Sequence, residues 1–302
     1  MGAARRAAPC RIIDEVNRRS IVRRLERSPR LHERVMAAEG WRVARRLDLL
    51  ALSGGTPVIV FQMGKVGSTS VASSFPTARH PVSVQTHHLH GPRIERAKEW
   101  SRERGLPVRA HFFHADAVAR RVVERGRPFK LITLVREPVG RSISNFFHNF
   151  ERFVGVPVDA STHSTEALVE ILVDHERQLD ESRWFQREFE PALGVDLYAH
   201  PFPHAAGAQV VPSGHGEILV LRLETPDAEK EAAIASFLGD PDFTLATANV
   251  GDAKVYGEGY QAFRDAAVLP DDFLDRKLSS GYALHFYTDE ERAEIRARWS
   301  LR

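Results

Sequence analysis

The stretch "PVIVFQMGKVGSTSVASSF", Pro57–Phe75, decides how this chain is read. Val58–Phe61 is an unbroken apolar run, the mark of a strand buried on both faces. The chain then turns small and polar at Gly64, Lys65, Gly67, Ser68, Thr69 and Ser70. A strand entering a glycine-rich turn that opens a helix builds a cradle for an anion. The first N–H groups of a helix are unpaired, its dipole makes that end positive, and glycine lets the backbone close in. Gly67, Ser68, Thr69 and Ser70 would offer N–H groups and hydroxyls, and Lys65 a movable positive charge. Serine and threonine at such a junction also serve as plain helix caps. A lysine, two glycines and three hydroxyls together favour the anion. A nucleoside-triphosphate loop reads G-x-x-x-x-G-K-[ST]. Here Lys65 stands before Gly67 and does not abut Ser68. The next comparable strand, "KLITLVREP", ends in arginine instead of a magnesium-binding aspartate. A magnesium-dependent triphosphatase is disfavoured on both counts.

Outward from this loop, strand and helix patterns alternate. Val82–Thr86 reads as a second strand and Arg93–Arg104 as a helix stopped by Gly105 and Pro107. Val108–Phe113 reads as a third strand, Ala115–Arg125 as a helix, Lys130–Val135 as a fourth strand and Gly140–Phe150 as a helix. The expected fold is α/β, a P-loop-like three-layer sandwich with a central parallel sheet covered by helices. Ligands in such sheets sit beyond the carboxyl ends of the strands. Further on, Glu166–Trp184 reads as one helix and Gly194–Phe202 as a loop or short strand. Gly216–Glu224 reads as a buried strand, Ala228–Leu238 as a helix, Asn249–Phe263 as a loop and Asp289–Trp299 as a last helix. Residues 53–302 are expected to form this domain, and residues 1–52 a basic helical extension packed on it.

The 302 residues are 43% hydrophobic, enough for a large core, with a net charge of only +2. That balance gives no sign of a nucleic-acid binder. Cys10 is the single cysteine, so an intramolecular disulfide and a cysteine zinc cage are excluded, and no metal is expected. No apolar run approaches the ~18 residues of a membrane span, and no apolar segment follows the basic N-terminus as in a secretory signal. The expected setting is cytoplasmic. The arginine-rich N-terminal helices offer a peripheral contact with a membrane or an anionic polymer.

"FQMGKVGSTSV" resembles the 5′-phosphosulfate loop of sulfotransferases that use 3′-phosphoadenosine 5′-phosphosulfate (PAPS). The family core K-x-G-[ST]-[ST] is matched by Lys65, Gly67, Ser68 and Thr69. The family's second element is a strand ending in arginine with a serine eight residues later. "LITLVREPVGRSISNFF" supplies it as Arg136 and Ser144. The resemblance implies that these two residues hold the 3′-phosphate and that PAPS is the sulfuryl donor. Independently of it, Arg136 offers a planar fork suited to phosphate, with Arg141 and Ser142 nearby. "QMGKVGSTSV", "TLVREPVGRSISNFF", "WFQREFEPALGVDLYAHPF" and "LVLRLE" further resemble a bacterial group of capsular polysaccharide synthesis proteins, itself sulfotransferase-like. That likeness spans most of residues 57–263 and implies a carbohydrate hydroxyl as acceptor.

Sulfuryl transfer to a hydroxyl needs a proton acceptor, and histidine suits it. Two clusters lie at expected strand ends: His87 and His88 in "QTHHLHG", and His111 in "RAHFFHAD". In the family the base follows the strand just before the arginine strand. With Val108–Phe113 as a strand, that rule ranks His111 first and His88 and His87 next; a glutamate base, as in other branches, stays open. Lys254 lies in a late loop, and the resemblance to sulfotransferases implies that this loop closes over the nucleotide. Trp184, Phe185 and Tyr198 are an aromatic set that suits either a sugar platform or the core, the core being favoured. A non-catalytic protein of capsule assembly that binds 3′-phosphoadenosine 5′-phosphate (PAP) and a P-loop nucleotide or small-molecule kinase are the alternatives to a sulfotransferase.

Overall fold

Val58, Ile59, Val60 and Phe61 are all buried, as a strand with helices on both faces requires. The computed structural model describes residues 28–154, 163–177, 181–246 and 257–300. In it this run is β1 (Val58–Phe61), inside a five-stranded sheet of order β2-β1-β3-β5-β4. β2 (Ser83–Thr86) and β3 (Phe129–Val135) flank β1 in parallel, and β5 (Gly216–Arg222) extends β3 in parallel. β4 (Ala208–Pro212) closes the far edge antiparallel to β5 through a short hairpin.

Helices cover both faces, giving three layers. In chain order they are α1 (Pro29–Leu52), α2 (Ser68–Ser73), α3 (Gly91–Glu103), α4 (Ala110–Val118), α5 (Pro138–Val154) and α6 (Thr165–Glu176). α4 runs on into a π-turn at Ala119–Val123. α7 opens at Ser182–Trp184, widens into a π-turn at Phe185–Phe189 and closes at Glu190–Leu193. α8 (Asp227–Leu238), α9 (Gly257–Ala266), α10 (Asp271–Leu278), α11 (Gly281–Phe286) and α12 (Asp289–Trp299) complete the described fold.

The main core joins the strands to Leu47 of α1, Val118 of α4, Phe185 and Phe189 of α7, and Tyr282 and Phe286 of α11. Trp184 and Tyr198 pack against it, so the aromatic set serves the core. A second core is built on α5. Val139, Ile143, Phe146, Phe147 and Phe150 recur at helical spacing and meet Leu168 and Leu172 of α6, Phe263 of α9 and Phe273 of α10.

The expectation of a strand at Val108–Phe113 is wrong. Arg109 is the extended N-cap of α4, and the helix begins at Ala110, five residues before the Ala115 expected. Phe113 is spent against α1. A Cβ on Gly40 would lie 2.6 Å from Phe113 Cβ, so the two helices cross at that glycine. The apolar run therefore packs helix on helix. Glu166–Trp184 is not one helix, since α6 ends at Glu176 and α7 begins at Ser182. Gly194–Phe202 contains one 3-10 turn, Leu197–Ala199, and no strand. Residues 257–263, expected in a loop, belong to α9. The helical spacing of the N-terminal arm is realised at Pro29–Leu52, where Ala44 and Leu47 are buried; residues 1–27 lie outside the described residues. Among the described residues, no helix is long and apolar enough to cross a membrane.

Candidate active site

The carboxyl ends of β1, β2 and β3 open into one cleft of about 990 Å³. Its walls include Lys65, Gly67, Ser68, Thr69 and Ser70 from the loop and α2, His87 after β2, Arg136 after β3, Ser144 on α5, and His111 on α4. Residues expected at two ends of one ligand thus face a common space. His88 lines the neighbouring groove instead, and Lys254 lies outside the described residues. Leu223, Lys230, Tyr260 and Arg264 close the cleft from the C-terminal part of the chain.

The loop is shaped by two left-handed residues. Lys65 has φ 73° and Gly67 φ 78°. A Cβ on Gly67 would also come 2.3 Å from Leu223 Cδ1, whose side chain would have to turn aside; the left-handed backbone is what calls for glycine there. Lys65 is the non-glycine residue held at positive φ among the described residues, a strained state that surrounding contacts must maintain. Arg136 donates from its guanidinium to the Lys65 carbonyl at 3.2 Å, and Arg141 to the Gly64 carbonyl at 3.4 Å. Gln62 and Gln85 each donate an amide proton to Ser68 Oγ at 2.8 Å. With two hydrogen bonds accepted, the Ser68 hydroxyl keeps its own proton to donate.

Arg136 is fixed at its backbone. Its N–H donates to the Tyr282 hydroxyl at 2.9 Å, and that hydroxyl donates back to the Arg136 carbonyl at 2.8 Å. Burial raises the Tyr282 phenol well above its usual range, so this donor stays protonated. Among the described residues Arg136 has no carboxylate within 4.0 Å. Neighbouring Glu137 instead accepts from the Gly140 N–H at 2.6 Å, and burial pushes its carboxyl up. The guanidinium remains available to an anion.

Arg141 and Ser142 do not join it, contrary to the sequence reading. Arg141 is buried and paired with Glu181 at 2.9 Å, and Ser142 donates to Glu176 at 2.7 Å. Lys277 of α10 completes the group, 2.8 Å from Glu176 and 3.1 Å from Glu181. Two carboxylates and two cations thus lie buried beneath the loop, with Arg141 reaching up to support it.

The histidines divide by their partners. His87 Nδ1 lies 2.8 Å from the Gln62 carbonyl. A carbonyl accepts only, so Nδ1 carries the proton and Nε2 presents its lone pair. Burial pushes this imidazole below its ordinary value, against the carbonyl contact and together with the charges of His88 and Lys65. His111 is pushed down to about 4, first by burial and then by His87, His88, Arg109 and His114. Its ring centroid is 6.5 Å from that of His87. His88 is held at 3.2 Å by Glu188, which also receives the N–H groups of Leu89 and His90 and the Arg93 guanidinium. Glu188 is 1% exposed; burial raises its carboxyl, and these donors bring it below the ordinary value. It anchors the turn that carries His87. With Val108–Phe113 helical, β2 is the strand that precedes the arginine strand, and His87 directly follows it.

The sequence reading missed the two glutamines on Ser68, the Tyr282 clasp, and Asn145, His148 and Asn149, which join Ser144 on the cleft side of α5. The α5 residues had a signal, because they lie opposite the apolar stripe of the same helix. Tyr282 had none, being 146 residues away in sequence.

Among the described residues no group of three or more histidine, cysteine or acidic side chains is placed to hold a metal ion. Comparison with protein families gives a match over residues 160–288 to the family described as "Putative capsular polysaccharide synthesis protein". The match takes in "WFQREFEPALGVDLYAHPF" and "LVLRLE" but ends short of the Lys65 loop and of Arg136. It contributes Leu223, Lys230, Tyr260 and Arg264 to the cleft. No curated protein and no solved structure matches the chain.

Proposed function

We propose that this cleft binds PAPS and transfers its sulfuryl group to a hydroxyl of a carbohydrate, in capsular or cell-surface polysaccharide synthesis. The observation that carries the reading is the hydrogen bond between Arg136 and the Lys65 carbonyl, with Ser144 on the same wall. It joins two anion-binding elements into one cradle, which suits a ligand that carries more than one anionic group. The carbohydrate acceptor rests on the family match over residues 160–288.

In this reading the acceptor oxygen attacks sulfur while the bond from sulfur to the bridging phosphate oxygen breaks. His87 Nε2 takes the hydroxyl proton, its Nδ1–H held by Gln62. Lys65 and the Ser68 hydroxyl offset the charge that the leaving phosphate acquires with the electron pair. Arg136 and Ser144 grip the other phosphate. His87 suits the base better than His111, whose position near 4 makes it a weak one and whose ring has, among the described residues, no hydrogen bond to fix a tautomer.

Differential scanning fluorimetry with 3′-phosphoadenosine 5′-phosphate, set against ATP with magnesium, tests the pocket. A ligand bound only by the native state raises the melting temperature, by about 2.7 kcal/mol of stability at a hundredfold excess over Kd. The expected outcome is a clear upward shift with the former, lost in Lys65→Ala and Arg136→Ala. No shift, or a larger one with ATP and magnesium, overturns the reading. His87→Ala should keep the shift and lose at least ~100-fold in sulfate transfer from labelled PAPS.

A further inference from the structure

Beyond His111, a second groove of about 1090 Å³ runs between α3, the residues leading into α4, and α7. Arg96, Arg109 and Arg187 line it and are exposed. None of the three has a carboxylate partner among the described residues, and no aspartate or glutamate lines the groove. Other surface arginines are matched, as in Arg102 with Glu33, Arg120 with Asp116 and Arg127 with Asp48, so three without a carboxylate along one groove form a cluster. In a chain of net charge +2 this is a local excess of cations. Glu188, below the groove, is already taken up by His88, Arg93 and two backbone amides.

Trp100 and Phe112 add aromatic surface, and the Arg104 guanidinium sits 4.3 Å from the Trp100 ring centroid. An aromatic face beside cationic forks suits a sugar ring that carries a carboxylate. Arg109 and His111 line both the groove and the cleft, so the two spaces meet beside His87.

The geometry points to this groove as the acceptor subsite, built for an anionic, uronate-bearing polysaccharide whose hydroxyl is delivered to His87. The inference rests on the reading of the cleft given above. Three unpaired forks, spread along a groove that ends at the cleft, hold a charged chain and leave one residue at the reacting end. A neutral glycan would leave them unmatched.

Isothermal titration of the full chain with size-defined oligosaccharides of hyaluronan, polygalacturonate and alginate tests it. Dextran oligosaccharides of equal length and a single-stranded DNA oligonucleotide serve as controls. At least one uronate oligosaccharide is expected to bind, with affinity falling as sodium chloride rises. Arg96→Ala/Arg187→Ala, two exposed changes that leave the core intact, should weaken that binding about tenfold. The shift with 3′-phosphoadenosine 5′-phosphate should be unchanged in this variant. Dextran binding as well as the uronates, tighter binding of DNA, wild-type affinity in the double variant, or no uronate binding at all each overturn the inference. The two readings fail separately. A nucleotide shift without uronate binding removes only the groove. Uronate binding that the double variant loses, without any nucleotide shift, removes only the cleft chemistry.

Discussion

A histidine does different work according to what holds its ring. His87 has one nitrogen held by a carbonyl and the other facing the cleft, whereas His111 has burial and positive neighbours but, among the described residues, no hydrogen bond to fix it. The second condition has a measurable cost. The unfolded chain takes up the His111 proton near 6.5, and the folded chain only near 4. Between those values the unfolded state binds more protons, so stability falls as pH drops through the window and levels off below it. His87, His114 and His285, also shifted down by burial, add in the same direction. Urea unfolding at pH 7, 5.5 and 4 should show this slope, and His111→Gln should reduce it without abolishing it. An unchanged slope would mean that His111 is as solvated folded as unfolded. At this scale the residue types were legible in the sequence. The choice among the histidines was not, because it depends on a carbonyl 25 residues away.

At the scale of elements, the strand–loop–helix unit at Pro57–Phe75 was the most legible part. Its apolar run, its glycines and its hydroxyls all point to one local structure. Gly67→Ala tests how much rests on it. The left-handed backbone and the approach to Leu223 together should cost about 1–3 kcal/mol of stability. The thermal shift with 3′-phosphoadenosine 5′-phosphate should fall with it. A variant that melts and binds like the parent would show that the loop tolerates another shape. The failure at Val108–Phe113 has an equally physical origin. "VRAHFF" combines β-branched and aromatic residues, which favour a strand where a partner strand exists. Here the partner is α1, and a glycine on that helix lets Phe113 in. Tertiary contact overrode local preference, and the ranking of the histidines shifted as a result.

Across the whole molecule, the buried group of Arg141, Glu176, Glu181 and Lys277 ties α5, α6, α7's approach and α10 together under the loop. Removing one partner of such a set leaves an uncompensated buried charge. Lys277→Met should therefore cost about 3–5 kcal/mol in chemical denaturation. A loss below 1 kcal/mol would indicate that Arg141 alone suffices to compensate the two buried carboxylates. Nothing in the sequence marks these four as a set, since their spacing follows no period and Lys277 reads as one more surface lysine. The sheet's α/β rhythm was legible; its antiparallel edge β4 was not, because "AQVVP" is short and ends in proline.

Residues 160–288 hold β4 and β5, while β1, β2 and β3 lie before them. β5 pairs with β3 along its full length, and Tyr282 clasps the backbone of Arg136 across the same boundary. During synthesis, then, the nascent N-terminal half leaves the ribosome with β3 as an open apolar edge. It must wait until β5 emerges, and the arginine grip must wait until Tyr282 does. A truncation anywhere in that interval exposes a strand edge that invites pairing with other chains. The Lys65 loop, Arg136 and the matched segment therefore fold, and fail to fold, as one unit.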